Sequence, residues 1–150
     1  MADERRMSIL RKLVEQYPEF VMKRSLQQST SLLERDLERQ VRYLEEKGLI
    51  DVRWSAGGFA AKINASGIAY IGEEIIDRKT LKTILKHLEE KYPDYVRSET
   101  FLELLNMNED QLRRPFKYLE ETGLVEIRWF LGKKFMIKIT SHGIDQLENL

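Results

Sequence analysis

The chain has 150 residues without a single cysteine, and its 25 basic and 25 acidic residues give a formal net charge of zero. The lack of cysteine excludes a disulfide framework, a thiolate nucleophile and a cysteine-ligated zinc site. The charged N-terminus and the lack of an apolar run of about 18 residues argue against a signal peptide and a membrane span, so we expect a cytoplasmic protein with no membrane partner.

Apolar periodicity predicts the first elements of the chain. Ile9, Leu10 and Leu13 have the i, i+1, i+4 spacing that places side chains on one face of a helix. That helix should end at Tyr17-Pro18, because the residue before a proline disfavours helical geometry. A short extended step and a second helix over residues 23–29 are expected to follow.

The longest helix of the first half is predicted over residues 31–47, with an N-cap in the Ser29-Thr30-Ser31 turn. It should end at Gly48 and point four side chains inward: Leu33, Leu37, Val41 and Leu44. The alternating runs LIDVRW and FAAKI predict two strands joined as a hairpin at Gly57-Gly58. A last helix is expected to begin near Ser66 and to run almost directly into the next one.

The second half repeats this pattern. ILRKLVEQYPEFV (Ile9–Val21) returns as ILKHLEEKYPDYV (Ile84–Val96), and 18 of the 46 positions in Ile9–Trp54 are identical in Ile84–Trp129 without a gap. Such a long repeat predicts two homologous units in tandem. The second copy should have helices over residues 98–105, capped by Ser98, and 108–122, then strands LVEIRWF and FMIKI around Gly132, and a final helix near Ser141.

The runs YLEEKGLIDVRW and YLEETGLVEIRW, followed by KINASGIAYI and KITSHGIDQL, resemble the winged-helix superfamily that includes the ArsR-, MarR- and PadR-like regulators. The resemblance covers essentially the whole chain, twice. It implies an α+β, mostly α fold of two tandem winged helix-turn-helix domains, 1–77 and 78–150. Each domain would have a three-helix core, a β-hairpin wing and a following C-terminal helix.

In that superfamily the third helix enters the major groove and the wing touches phosphate or the minor groove. If this use carries over, the first copy would present Ser31, Glu34, Arg35, Glu38, Arg39 and Arg42 to DNA, and the second Asp110, Arg113, Arg114 and Lys117. The second wing adds Lys133 and Lys134, whereas the first wing, Ala56-Gly57-Gly58, carries no charge. The resemblance therefore implies that domain 2 makes the dominant contacts.

Arginine suits guanine edges and phosphates because its planar fork donates two parallel hydrogen bonds. Glu34 and Glu38 would instead repel phosphates, and we expect them to be solvated or paired with arginines three or four positions away. Pro115 occupies the place of Gln40 inside the third helix. We expect either a kink there or a regular helix that begins close to Pro115.

Other candidate sites have simpler readings. Trp54 and Trp129 stand at equivalent strand positions, which favours packing in the core or between domains. His87 and His142 lie apart with no cysteine nearby, so we expect no metal site. No pair of carboxylates is isolated on apolar elements for acid–base work, and we expect neither an enzyme nor a cofactor.

Three functional interpretations remain open from the sequence. The first is a DNA-binding transcriptional regulator of prokaryotic or phage type that uses the third helix and wing of each copy. The second is a protein–protein adaptor, which the zero net charge favours and for which Phe130, Leu131, Phe135 and Met136 at the second wing offer an apolar patch. In the third, one copy binds DNA and the other forms an interface. A homodimer through the terminal helices is a further possibility, with Ile9, Leu10 and Leu13, or Ile144, Leu147 and Leu150, at its seam.

Overall fold

The structure is a computed structural model that describes residues 2–72, 76–130 and 134–149. The chain divides into two compact units, Met1–Ile75 and Ile76–Leu150, here called unit 1 and unit 2. The predicted domain ranges, 1–77 and 78–150, differ from this division by two residues and stay a prediction. The architecture is α+β and mostly helical, with eight helices and two three-stranded antiparallel sheets in the described residues.

The two units have the same order of elements. Unit 1 contains α1 (Ala2–Glu15), β1 (Val21–Met22), α2 (Lys23–Thr30), α3 (Glu34–Glu46), β2 (Ile50–Ser55), β3 (Gly58–Ile63) and α4 (Ala65–Ile71). Unit 2 contains α5 (Arg78–Lys91), β4 (Val96–Arg97), α6 (Glu99–Leu104), α7 (Glu109–Glu121), β5 (Val125–Trp129), β6 (Phe135–Ile139) and α8 (Ser141–Leu147).

Each sheet places the second strand of the hairpin in the middle. The strand orders are β1-β3-β2 and β4-β6-β5, and all pairings are antiparallel. The registers pair Trp54 with Phe59 and Trp129 with Phe135, so the hairpins correspond after one inserted residue. Side chains alternate between buried and accessible along β3 and β6, as a sheet with one packed face requires.

The helices and the inner face of each sheet enclose a separate apolar core. In unit 1, Ile9, Leu10 and Leu13 of α1 are fully buried, and α1 packs against α2, α3, α4 and β3. In unit 2, α5 packs against α7, α8 and β6. Its core centres on Phe101, Phe116 and Phe135. The ring of Phe116 meets the rings of Phe101 and Phe135 edge to face, and the ring centroids are 5.0 Å apart in both pairs.

The predicted end of each first helix is confirmed, because α1 and α5 both end before the Tyr-Pro step. The left-handed turns predicted after the third helices are also confirmed, with φ of 74° at Gly48 and 77° at Gly123. The prediction that the last helix of unit 1 continues almost directly into α5 is wrong, since α4 ends at Ile71 with Gly72 in the left-handed region.

Neither predicted capping bond forms, although Ser98 does stand at the N-cap position of α6. Ser31 has a φ of 58° and ends α2, so it does not cap α3. The N-cap of α3 is Leu33, whose side chain is 73% exposed rather than inward as predicted. Ser98 precedes α6 but makes no capping bond, because its Oγ accepts the backbone N–H of Phe135 instead.

Candidate nucleic-acid interface

Helix α3 has an apolar face and an outer face that carries both arginines and glutamates. Leu37, Val41 and Leu44 lie in the core of unit 1, at the spacing that brings helical side chains to one side. Arg35 and Arg39, one turn apart, are exposed on the opposite side. They form no ion pair with any residue of the described ranges. Both guanidinium groups are therefore available to an anionic partner.

Helix α7 of unit 2 has the same apolar face but a different outer surface. Leu112, Phe116 and Leu119 are buried. Arg113 and Arg114 are half-buried, and both already make contacts within the protein. The ammonium group of Lys117 lies 2.9 Å from a carboxylate oxygen of Glu120, one turn further along. The structure thus places all three predicted cations on α7, but none extends into solvent as Arg35 does.

Pro115 is accommodated inside α7. The helix begins at Glu109 and has 13 residues, the same length as α3. Of the two alternatives, a helix that begins close to Pro115 is therefore wrong, and a kink stays a prediction. Asn108 and Gln111 form a capping box that satisfies backbone groups of the first turn. Pro115 is buried at the place of Gln40, which is also buried and accepts a bond from Arg6 at 3.0 Å. The proline therefore faces the interior and not a ligand.

The two hairpins differ in charge at their turns. The turn at Gly57 joins β2 and β3 without a charged side chain. In unit 2 the residues 131–133, including the predicted Lys133, lie outside the described ranges. Lys134 is exposed, and its Nζ lies 3.8 Å from a carboxylate oxygen of Glu99 at the start of α6. An exposed pair at that separation contributes little, so Lys134 can exchange Glu99 for a phosphate.

In each unit a tryptophan of the hairpin forms a hydrogen bond with a glutamate of the third helix. The indole N–H of Trp54 lies 3.1 and 3.2 Å from the two carboxylate oxygens of Glu45, and Arg42 stacks 4.1 Å above the ring. In unit 2, the indole N–H of Trp129 donates to Glu120 at 3.3 Å. Neither indole is fully in the core, because Trp54 is half-buried and Trp129 is 40% exposed, and the alternative of packing between domains stays a prediction. The contact also means that Arg42, a predicted DNA-binding residue, is engaged by Trp54.

The acidic residues of α3 have a partner that the sequence analysis missed. Lys23, the first residue of α2, hydrogen-bonds Glu34 and lies 3.3 Å from Glu38. Of the two alternatives expected for these acids, pairing with arginines of the same helix is wrong, whereas Glu34 is largely exposed to solvent. The hydrogen bond to Glu34, together with the weaker contribution of Glu38, raises the pKa of Lys23 above its ordinary value although partial desolvation opposes this. Lys23 is 11 residues from Glu34 and 15 residues from Glu38, on a separate helix, so the sequence gives no local signal of this pairing.

Further cations lie on the outer face of each sheet. Arg53 and Lys62 approach the ring of Phe20 at 4.2 and 5.2 Å, and Arg128 and Lys138 approach Tyr95 at 4.7 and 5.1 Å. In unit 2 the hydroxyl of Tyr95 also donates to Glu126 at 2.9 Å. That bond, followed by those from Lys138, lowers the pKa of the Glu126 carboxyl. These cations hold the loops before β1 and β4 against the sheets.

The apolar patch predicted at the second wing is only partly present. Phe135 is buried and Met136 is half-buried, while Leu131 lies outside the described residues. Phe130 is 53% exposed. Unit 1 has two other exposed apolar side chains near the start of its second and third helices, Met22 at 63% and Leu33.

The terminal helices offer less apolar surface than predicted. Ile9, Leu10 and Leu13 are fully buried. At the other end, Leu147 is buried and Ile144 is half-buried, and Leu150 lies outside the described ranges. A homodimer through these helices stays a prediction, but the three side chains of α1 are already used in the core of unit 1.

The chain matches no protein-family model and has no significant similarity to a curated protein. None of the helices in the described ranges has the length and apolar character needed to cross a membrane.

Proposed function

We propose that the chain is a tandem winged helix-turn-helix protein that binds double-stranded DNA through α3 and α7 and their adjoining hairpins. The single observation that carries this proposal is the pair of exposed arginines on α3, Arg35 and Arg39, on the side opposite the core. Two of the α3 cations recur as cations on α7, because Arg114 corresponds to Arg39 and Lys117 to Arg42. Cations that recur at matching positions of a helix beside a hairpin suit the contacts that winged helices make with a groove and its phosphates, although α3 and α7 each carry more acidic than basic residues.

The element order and the antiparallel three-stranded sheets support the winged-helix assignment. Lys134 on the second hairpin supports a phosphate contact there, since lysine positions a protein on DNA without reading its sequence. Because the net charge is zero, affinity has to come from these local groups rather than from the field of the whole molecule. We further propose that the protein is a non-enzymatic transcriptional regulator of prokaryotic or phage type that acts in the cytoplasm.

A second candidate function is that of a protein–protein adaptor. It is favoured by three exposed apolar side chains: Met22 on β1, Leu33 at the N-cap of α3 and Phe130 directly after β5. A combined function, in which one unit binds DNA and the other binds a protein, is supported by the difference between the uncharged first turn and the lysine-bearing second hairpin.

The deciding experiment is a fluorescence anisotropy titration of the full chain against a random-sequence DNA duplex from about 20 mM to about 200 mM salt. Affinity that falls steeply with salt would support the DNA-binding proposal, because each phosphate neutralised by the protein adds about 0.9 to the negative slope of log K against log salt. No binding at the lowest salt, where charges are least screened, would overturn it and favour the adaptor function.

A further inference from the structure

The side chain of Lys23 crosses from α2 to α3 beside the first hairpin turn. Its side chain is only 16% exposed, although Glu34, to which it bonds, is far more accessible. A Cβ placed on Gly58 would come within 2.9 Å of the Cδ of Lys23. Lys23 is therefore held between the hairpin and α3, and the glycine at position 58 leaves the space that its methylene chain occupies.

Unit 2 has different residues at the equivalent positions. Ser98 stands at the position of Lys23, and its Oγ accepts the N–H of Phe135 at 3.1 Å. At the positions equivalent to Glu38 and Gly58, unit 2 has Arg113 and Lys134, and only Glu34 keeps its charge, as Glu109. At these four positions unit 1 has two carboxylates and one cation, a formal charge of −1, whereas unit 2 has one carboxylate and two cations, a formal charge of +1, with the further carboxylate of Glu99 near Lys134.

Unit 2 therefore lacks both the lysine and one of the two acids with which that lysine pairs in unit 1. Glu34 and Glu38 flank Arg35 and Arg39 along α3, so an approaching phosphate meets both signs of charge. Without Lys23, two carboxylates would stand unneutralised among the arginines, and like charges brought together across an interface oppose association. On α7 the position of Glu34 keeps a carboxylate, Glu109, whereas an arginine, Arg113, stands at the position of Glu38.

We propose that Lys23 is a positioning residue for DNA binding by unit 1. It holds the carboxylates of Glu34 and Glu38 in ion pairs and thereby lets Arg35 and Arg39 approach phosphates, without contacting DNA itself. This inference rests on the proposed function. According to this inference, the effect of Lys23 on DNA affinity requires Glu34 and Glu38. A lysine that binds phosphate directly would not require these two acids.

The test is a mutant cycle measured by the same anisotropy titration, with the parent in every series. Lys23→Ser should weaken binding roughly fivefold to tenfold at low salt, because it frees two negative charges. Glu34→Gln and Glu38→Gln, added to Lys23→Ser, should restore the affinity to within about twofold of the parent. Lys23→Arg, which keeps the charge, should bind like the parent.

Unit 2 supplies a variant that is expected to gain affinity. Lys23→Ser combined with Glu38→Arg introduces the residues of unit 2 at both positions, and should bind more tightly than the parent with a salt slope steeper by about one unit. Lys12→Ser is the matched control, since Lys12 pairs at 3.5 Å with Glu15 of its own helix, α1, and not with a carboxylate of α3. Circular dichroism melts compare the folding of all variants, and a loss caused only by unfolding would not be restored by the glutamines.

Three outcomes would overturn the inference. If the triple variant binds as weakly as Lys23→Ser, Lys23 contacts DNA directly. If Lys23→Ser binds like the parent, the lysine has no role in binding, although the proposed function stands. If the parent itself shows no salt-dependent binding, both the proposed function and the role of Lys23 are wrong.

Discussion

The indole N–H of Trp129 donates to the carboxylate of Glu120 at 3.3 Å, and the same bond joins Trp54 to Glu45 nine residues earlier in its own unit. In both units the bond connects the last turn of the third helix to the first strand of the hairpin. The two surfaces that the proposed function requires are thus joined by a specific polar contact.

Breaking this bond should loosen the hairpin of unit 1. Because the chain has only two tryptophans, Trp129→Phe leaves Trp54 as the only indole reporter. In that background, Glu45→Ala should lower the free energy of unfolding by about 1 kcal/mol, as the loss of a partly exposed charged hydrogen bond does. Urea unfolding followed by Trp54 fluorescence measures this. Glu46→Ala, on the exposed side of the same turn, is the control, and an equal effect of both substitutions would contradict the prediction.

The elements of the fold were accessible from the sequence because their signals are local. Ile9, Leu10 and Leu13 form a helical stripe, and the proline and glycine breaks lie where the chain changes element. The caps failed because they depend on backbone conformation at one residue: Ser31 takes a φ of 58° and ends a helix instead of beginning one. The capping bond predicted for Ser98 does not form, because its hydroxyl oxygen accepts the backbone N–H of Phe135, a strand residue 37 positions away.

The candidate site was only partly predictable for a related reason. Arg35 and Arg39 were found by removing the inward positions of an amphipathic helix, which needs no tertiary information. Lys23 was missed because its partners lie on another helix, so that no spacing along one element relates them. The repeat carried a signal that could have found it, since Lys23 and Glu38 are lost together in the second copy.

Glycines in the last helix of each unit allow a close approach that alanine would block. A Cβ at Gly67 would lie 2.3 Å from the carbonyl oxygen of Leu49, and one at Gly143 would lie 2.2 Å from that of Leu124. Because those atoms belong to the backbone, Gly67→Ala and Gly143→Ala should each destabilise the protein by about 1–3 kcal/mol or more. Thermal unfolding measures the loss. Gly57→Ala, which meets nothing within 4 Å, should change stability by less than about 0.5 kcal/mol; a similar loss there would refute the steric explanation.

The cluster of Tyr95, Glu126 and Lys138 should respond to acid. Since the pKa of Glu126 is lowered in the folded protein, its contribution to stability is present above the pKa of the unfolded carboxyl and is lost as pH falls through the folded value. Tyr95→Phe removes the largest cause and should raise the pKa of Glu126 towards its ordinary value. Carbon-detected NMR titration of the carboxyl group measures the shift. Tyr92→Phe, at an exposed tyrosine of the same unit, should leave it unchanged, and an unchanged value in Tyr95→Phe would exclude this hydrogen bond as the cause.

Under the proposed function, the arginines of α7 provide the most direct test of which groups would contact the bases. If Arg113 and Arg114 contact base edges, Arg113→Ala and Arg114→Ala should each weaken binding by about 1–3 kcal/mol and relax the preference for one sequence. Lys134→Ala should instead weaken binding to all sequences alike and reduce the salt slope by about one unit, as the loss of a phosphate contact does.

Arg78→Ala is the control for these substitutions, because Arg78 is exposed at the start of α5 and its removal changes the net charge equally. Since Arg113 and Arg114 are half-buried and contact other residues, lysine substitutions separate charge from geometry: a lysine keeps the charge but cannot form the planar double hydrogen bond. Arg113→Lys should therefore retain non-specific binding and lose sequence preference. The prediction would be contradicted if all four alanine variants, at Arg113, Arg114, Lys134 and Arg78, bound DNA with equal affinity. The DNA contact would then lie elsewhere, and the exposed arginines of α3 would be the remaining candidates.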